Sequence, residues 1–372
     1  MSEITPSQLK SRLASGEPVS ILDIREAPEY EAWHIHGSTN LPVYEALRRG
    51  SFDALAAGAE ALPADRPVVA VCRAGVVSRR AVDWLRGRGF TATSLAGGIR
   101  GWGAVWSEAP VRRFEAEGLR LIQVRRNGKG CLSYVLGARG KAIVVDPSVD
   151  AGAYVEIAER EGLCIERVLE THVHADHLSR ARDLCRAVGA RLVLPPNERV
   201  GFAYDALRDG ERLDVGGIVV EAIATPGHTA ESTCYLVAGH ALLTGDTLFL
   251  DSVGRPDLER GDAGAEDGAC ALYRSLHERV LARRDGAWVY PAHHSGPLGF
   301  DGVALERSLE TIAAAQPLLS ADEERFVATI LGALPPKPPN HVRIIAVNEG
   351  RLGTEGIDAL DLEAGPNRCA CA

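Results

Sequence analysis

Apolar and polar positions follow two different rhythms along the chain, and the change falls near residue 110. Before it, short apolar runs alternate with amphipathic stretches. Val19–Ile24 reads as a strand, and Val68–Val71, apolar without alternation, as a strand buried on both faces. The run leads into Cys72 and then a helix over Ser78–Arg86, with Ala81, Val82 and Leu85 on one side. Strand, crossover helix and strand in succession predict an α/β domain with a parallel sheet and helices on both faces. Ser107–Arg113, holding Pro110, is the linker candidate.

After the change, apolar runs at Leu119–Val124, Cys131–Leu136 and Ala142–Asp146 are separated by glycine-rich turns. That is a meander of antiparallel strands. A helix is expected over Ala151–Glu161, then a strand at Arg167–Glu170. Further strands are expected at Arg191–Leu194, Ile218–Ala224, Cys234–Val237, Ala241–Leu243 and Ala287–Tyr290, and helices over Gly264–Leu281 and Asp322–Leu331. Two β-rich halves flanked by helices predict an αββα sandwich. The expected division is 1–108, a linker at 109–118, a second domain at 119–347, and a tail at 348–372 packed on the second domain.

Composition narrows the function classes. With 372 residues, two or three domains are expected. A net charge of −9 argues against nucleic acid, which needs a basic surface. No apolar run reaches the ~20 residues of a membrane span. Thr5-Pro6-Ser7-Gln8 reads as a capped helix start rather than a targeting segment. Eight scattered cysteines without zinc-finger spacing suit reduced thiols in a cytoplasm. Cys369 and Cys371 are either a redox pair or incidental tail thiols.

The chemistry concentrates in Thr171-His172-Val173-His174-Ala175-Asp176-His177, just after an apolar strand. Packing alone does not explain three histidines beside an aspartate, because unpaired polar groups are costly to bury. Thr225-Pro226-Gly227-His228-Thr229, Thr244-Gly245-Asp246-Thr247 and Tyr290-Pro291-Ala292-His293-His294 each follow a strand too. Strand ends of one sandwich can converge on a single metal site.

These four motifs in this order resemble the metallo-β-lactamase superfamily over about residues 119–347. A narrower resemblance is to the persulfide dioxygenases. It rests on Thr171–Leu178, on Thr244–Phe249, on Gly254-Arg255-Pro256-Asp257, on Pro336–Asn340 and on Asn367-Arg368-Cys369. That family implies one Fe(II) per chain on His172, His228 and Asp246, with zinc as the alternative. Two histidines and a carboxylate on one face suit an iron that takes substrate and dioxygen together, whereas zinc has no redox couple to offer dioxygen. His174, Asp176, His177 and His293 would then orient the ligands or hold a second metal. Arg255 is the candidate for substrate carboxylates, the alternative being an ion pair with Asp257. Tyr290 is the candidate for lining the pocket, the alternative being a core tyrosine. Val253 stands where relatives carry cysteine, and the segment after His294 also departs.

Cys72-Arg73-Ala74-Gly75-Val76-Val77-Ser78 lies between a buried strand and a helix start, where backbone N–H groups favour an anionic sulfur. With Ile21–Glu26, His34–Ser38 and Leu95–Trp102 it resembles a rhodanese domain over about residues 1–108. The resemblance implies that Cys72 carries sulfur as a persulfide, with Arg73 and Gly75 holding the anion. Val77 replaces a common second arginine, which favours persulfide over thiosulfate as the donor.

The expectation is a cytoplasmic enzyme that oxidises a low-molecular-weight persulfide, such as glutathione persulfide, to sulfite and thiol, while Cys72 exchanges sulfur with a thiol, sulfite or thiosulfate. A homodimer is left open. The alternatives are a two-zinc thioesterase like glyoxalase II with an accessory rhodanese domain, and a non-enzymatic sulfur-binding or sensing protein.

Overall fold

The computed structural model describes residues 2–283 and 285–371. Its first sheet contains β1 (Glu3–Ile4), β2 (Ser20–Asp23), β3 (Thr39–Asn40), β4 (Val68–Val71) and β5 (Ala92–Leu95). All run parallel in the order β1-β5-β4-β2-β3. Central β4 is buried along its whole length. Val68 and Ala70 pack with Leu47, Leu55 and Val82 on one face, and Val69 and Val71 with Leu9, Leu95 and Trp102 on the other. A strand clothed on both sides has no polar positions to alternate with. The helix Pro6–Ala14 starts with the capping box read from the sequence, closed by Thr5 and Gln8.

The rest of the chain builds a sandwich. Its first sheet holds β6 (Ser107–Val111), β7 (Arg120–Arg126), β8 (Cys131–Ala138), β9 (Lys141–Val145), β10 (Cys164–Leu169), β11 (Arg191–Leu194) and β12 (Asp205–Ala206), adjacent in sequence order. Its second holds β13 (Arg212–Val215), β14 (Ile218–Ala224), β15 (Thr233–Val237), β16 (Ala241–Gly245), β18 (Trp288–Pro291) and β19 (Arg307–Ser308). Between β16 and β18 in the chain lies β17 (Val253–Gly254), which pairs with β20 (Ala370–Cys371). Strand parity assigns the layers. Leu132, Tyr134 and Leu136 meet Val220, Ala222 and Tyr235 between the sheets. Val135 and Val144 face outward onto the helix residues Tyr154 and Ile157. Ile223 and Leu242 face Leu272 and Leu276 on the other side. The αββα order follows, as expected.

Two details differ from the sequence reading. The stretch taken as a linker holds β6, an edge strand pairing only with β7, followed by a 3-10 helix at Arg112–Glu117. Ser107, Ala109 and Val111 turn inward and Pro110 outward. Proline is tolerated there because an edge strand need not donate on its open side. The helix His341–Asn348 runs across the limit placed at 347.

The tail touches both domains. Asp358 and Asp361 bind Arg100 of the first domain. Glu363 is buried against Arg126 at 2.5 Å, and also takes Arg180 and the Leu178 amide. Phe300 of the second domain packs edge-on against Trp102 of the first. Arg126 holds Glu363 below the ordinary glutamate range despite its burial. A lowered folded-state pKa means the contribution is present above the ordinary glutamate range and lost as pH falls below it, through the lower folded-state value. Glu363→Gln is expected to lower the stability from urea unfolding at neutral pH by about 3–5 kcal/mol, the scale for breaking a buried pair. Its difference from the parent should shrink in acid.

Candidate metal centre and sulfur-transfer loop

The four histidine and aspartate motifs follow β10, β14, β16 and β18, so they meet at one rim of the sandwich. Close approach is built into the backbone there. Gly245 has a φ of +52°, and a Cβ on it would lie 2.6 Å from the Thr171 hydroxyl. A Cβ on Gly254 would lie 1.8 Å from the Asp246 carbonyl oxygen. Only glycine fits either position.

The hydrogen bonds fix which atoms face inward. Thr171 donates its hydroxyl proton to Asp146 (2.9 Å), so its oxygen must accept from His172 Nδ1 (2.9 Å). His228 Nδ1 donates to the Arg255 carbonyl at 2.7 Å. Each imidazole therefore turns a bare Nε2 toward Asp246 Oδ2, at 3.7 Å from His172 and 3.5 Å from His228. All three atoms are buried and lack a hydrogen-bond partner within the protein. Burial and the neighbouring His174 hold His172 well below the ordinary histidine range, which keeps that lone pair. Burial opposes ionisation of Asp246, but His293 and the other histidines outweigh it and keep it a carboxylate. Three converging, unsatisfied donors to a cation fit a metal ion.

The other predicted residues do not join that group. His293 bridges two carboxylates, Asp246 at 2.6 Å and Asp176 at 3.1 Å, and these outweigh burial to hold it protonated. Asp176 also binds His177 at 2.9 Å. Cys131 completes this second cluster, 3.6 Å from Asp176 and 3.7 Å from His177. His174 is turned away to Glu170 (3.0 Å) and Asp146 (3.4 Å), which outweigh its burial and keep it charged. Asn348 fastens the histidine loop by donating to the carbonyls of His174 and His177.

Cys131, Asp146, Glu170, Asn348 and Cys369 were missed as site residues. Asp146 carried a usable signal, a carboxylate at a strand end like Asp246. Two assignments need correction. Arg255 is 1% exposed and locked in a two-bond pair with Asp257 (2.7 and 2.9 Å). Two more donors go to the carbonyls of Pro336 and Arg368, so four of its five N–H groups are spent within the protein. Tyr290 packs on Phe114 and Tyr134 in the core, and its hydroxyl donates to Glu306, not into the metal rim.

At the other site, Cys72 Sγ receives the Gly75 amide at 3.1 Å and lies 3.1 Å from the Ser78 hydroxyl. Gly75 has a φ of +80°. A side chain there would strike Leu95 O and Gly97 N, both 2.9 Å away. Arg73 is paired twice with Glu29 at 2.7 Å and lies over Tyr44. Arg79 and Arg80 bind Glu3 and the Leu47 and Arg48 carbonyls, so neither supplies the missing arginine.

Comparison with known proteins agrees with this layout. Residues 126–293 match the metallo-beta-lactamase superfamily, and residues 5–105 match the rhodanese-like domain. The chain is a metallo-beta-lactamase superfamily protein behind a rhodanese-like domain. It is 30% identical to the mitochondrial persulfide dioxygenase ETHE1 of Bos taurus over 222 residues, which are 56% of this chain and 80% of that one. It is 36% identical to the hydroxyacylglutathione hydrolase of Pseudomonas entomophila over 159 residues, 42% of this chain and 58% of that one. The crystal structure of ETHE1 from Myxococcus xanthus aligns with a TM-score of 0.55 at 26% identity, covering 62% of this chain and 98% of that one. Within the superfamily the chain belongs to the persulfide dioxygenase branch.

Arg255→Ala tests the corrected role. It is expected to lower stability by about 3–5 kcal/mol, because Asp257 loses both charge-assisted hydrogen bonds and keeps only Lys337, 3.7 Å away. A raised KM at unchanged stability, read by thermal unfolding beside kinetics, would restore the substrate-binding assignment.

Proposed function

We propose that the second domain oxidises a low-molecular-weight persulfide with dioxygen at a single iron, and that Cys72 of the first domain transfers sulfane sulfur to or from a thiol. The observation that carries this reading is the convergence of His172 Nε2, His228 Nε2 and Asp246 Oδ2, while His174, although its ring lies 4.2 Å from that of His172, directs its Nε2 to Glu170. The three unsatisfied atoms offer two imidazoles and one carboxylate, the donor set that suits ferrous iron with open positions. Such an iron supplies the redox couple through which dioxygen reacts with an anionic sulfur. The overall change balances: persulfide anion, dioxygen and water give thiol, sulfite and one proton.

The chain's own groups have definite tasks in this reading. The Nδ1 bonds of His172 and His228 orient both rings and fix their tautomers. His293 occupies one oxygen of Asp246 and leaves the other for the metal. In the first domain, Gly75 N–H and Ser78 stabilise negative charge on Cys72 sulfur. Glutathione is the proposed carrier and the cytoplasm the proposed compartment. Among the described residues, no helix is long and apolar enough to cross a membrane.

The competing two-zinc thioesterase draws support from the hydrolase relative and from the cluster of Asp176, His177 and His293. Metal analysis of protein purified without added metal separates the two. About one iron per chain, with oxygen uptake on glutathione persulfide, is expected. Two zincs without oxygen uptake would overturn the proposal. His228→Ala should lose iron and oxygen uptake together. Cys72→Ser should abolish sulfur transfer while keeping oxygen uptake.

A further inference from the structure

A cavity of about 560 Å³ lies between the domains, large enough for a tripeptide-sized ligand. One wall contains Arg73 and Ala74, the two residues after Cys72. The facing wall contains Lys129 and the segment Glu363–Pro366 with Arg368. These residues also back the metal rim. Cys131, two residues beyond Lys129, touches Asp176 and His177, and Cys369, next to Arg368, lies with Asp246 and His293. One cavity thus borders the sulfur-transfer loop on one side and the wall of the metal cluster on the other.

Its charge is one-sided. Six basic residues line it, Arg25, Arg73, Arg100, Arg126, Lys129 and Arg368, against two acids, Glu29 and Glu363. Four of the six have carboxylate partners: Asp23, Glu29, the Asp358–Asp361 pair and Glu363. The other two do not. Lys129 is 3% exposed, and its ammonium meets only the carbonyls of Glu363 and Gly365, which leaves one of its three donors unspent. The Arg368 side chain has no hydrogen-bond or ion-pair partner among the described residues. Its backbone holds a left-handed φ of +52°, an uncommon conformation for a residue with a Cβ. Two uncompensated cations, one of them buried, call for an anion between them.

We propose that this cleft binds a small thiol bearing carboxylates, such as a glutathione-like peptide, as the carrier that moves sulfur between the two sites. Lys129 and Arg368 hold its carboxylates while its sulfur meets the Cys72 loop. In the transfer step the carrier thiolate attacks the outer sulfur of the Cys72 persulfide. A new S–S bond forms on the carrier, the old one breaks, and its electron pair leaves on Cys72 as thiolate. No external oxidant or reductant is consumed. The carrier persulfide so formed is the substrate proposed for the metal domain. This inference rests on the reading of Cys72 as a sulfur carrier and is independent of which metal the second domain holds.

The test loads Cys72 of the full chain with sulfane sulfur and compares its discharge to glutathione with discharge to glutathione diethyl ester, which lacks the carboxylates. Lys129→Met or Arg368→Ala should lower the glutathione-to-diester rate ratio about tenfold, the scale of one charge-assisted contact. An unchanged ratio in both overturns the proposal. Among the described residues the Arg368 side chain bonds to nothing, so its variant is expected to keep the fold even if the lysine variant does not. Should Cys72 fail to load, the sulfurtransferase reading falls, and calorimetric binding of S-methylglutathione to the Cys72→Ser chain still decides the cleft. Its Kd should rise about tenfold on adding Arg368→Ala, and an unchanged Kd or no binding overturns the proposal.

Discussion

The second domain is organised around buried charge that must be neutralised. Asp146, Glu170, Asp176 and Asp246 all lie at one rim of the sandwich, each 5% exposed or less. A buried ion costs several kcal/mol unless it is paired and hydrogen-bonded. The pairing here is nearly complete. His174 serves Asp146 and Glu170, His293 serves Asp176 and Asp246, and Thr171 ties Asp146 to His172. This network fixes the loop ends so closely that Gly245 and Gly254 can carry no side chain. Among the buried atoms it leaves without a hydrogen bond, Nε2 of His172, Nε2 of His228 and Oδ2 of Asp246 lie together, while Nε2 of His174, His177 and His293 and Oε2 of Glu170 lie elsewhere along the rim.

The same rule joins the domains. Arg125 and Arg126 are buried neighbours at the end of β7. Arg125 is spent on Asp301 and on the carbonyls of Gly299 and Val303, next to the Phe300 ring that meets Trp102. Arg126 is spent on Glu363 of the tail and on the Gly103 carbonyl of the first domain. Neither buried guanidinium can be left without acceptors. The tail is therefore a clamp whose release would strand a buried cation, and the two domains are held with the Cys72 loop on one side of the cavity between them.

The parts of this arrangement that were legible from sequence were those with a short-range signature. The apolar run Val68–Val71, the capping box at Thr5 and the histidine cluster each express their physics within a few residues. Long-range partnership was not legible. Nothing near Asp146 in the chain announces His174, and nothing near Glu363 announces Arg126, 237 residues away. Arg255 shows the opposite error. A motif arginine suggested a substrate contact, but its partner stood two residues on, at Asp257. Pro110 suggested a linker because proline usually breaks strands, and only the sheet order shows that β6 is an edge.

Spacing along the chain fails to separate one metal from two because all seven residues are present in either case. Counting the ligand atoms already committed to neighbours separates them better. An aspartate has two oxygens and an imidazole two nitrogens, and each atom spent on a neighbour is withdrawn from a metal. His293 sets its nitrogens 2.6 and 3.1 Å from two aspartates and His174 sets Nε2 3.0 Å from Glu170, while His177 Nε2 has no hydrogen bond. His172 and His228 each spend only Nδ1. A second ion would have to displace His293 from two carboxylates and undo a buried ion-pair network. The first would displace nothing. That asymmetry supports the mononuclear centre proposed above, in a superfamily motif with enough ligands for two.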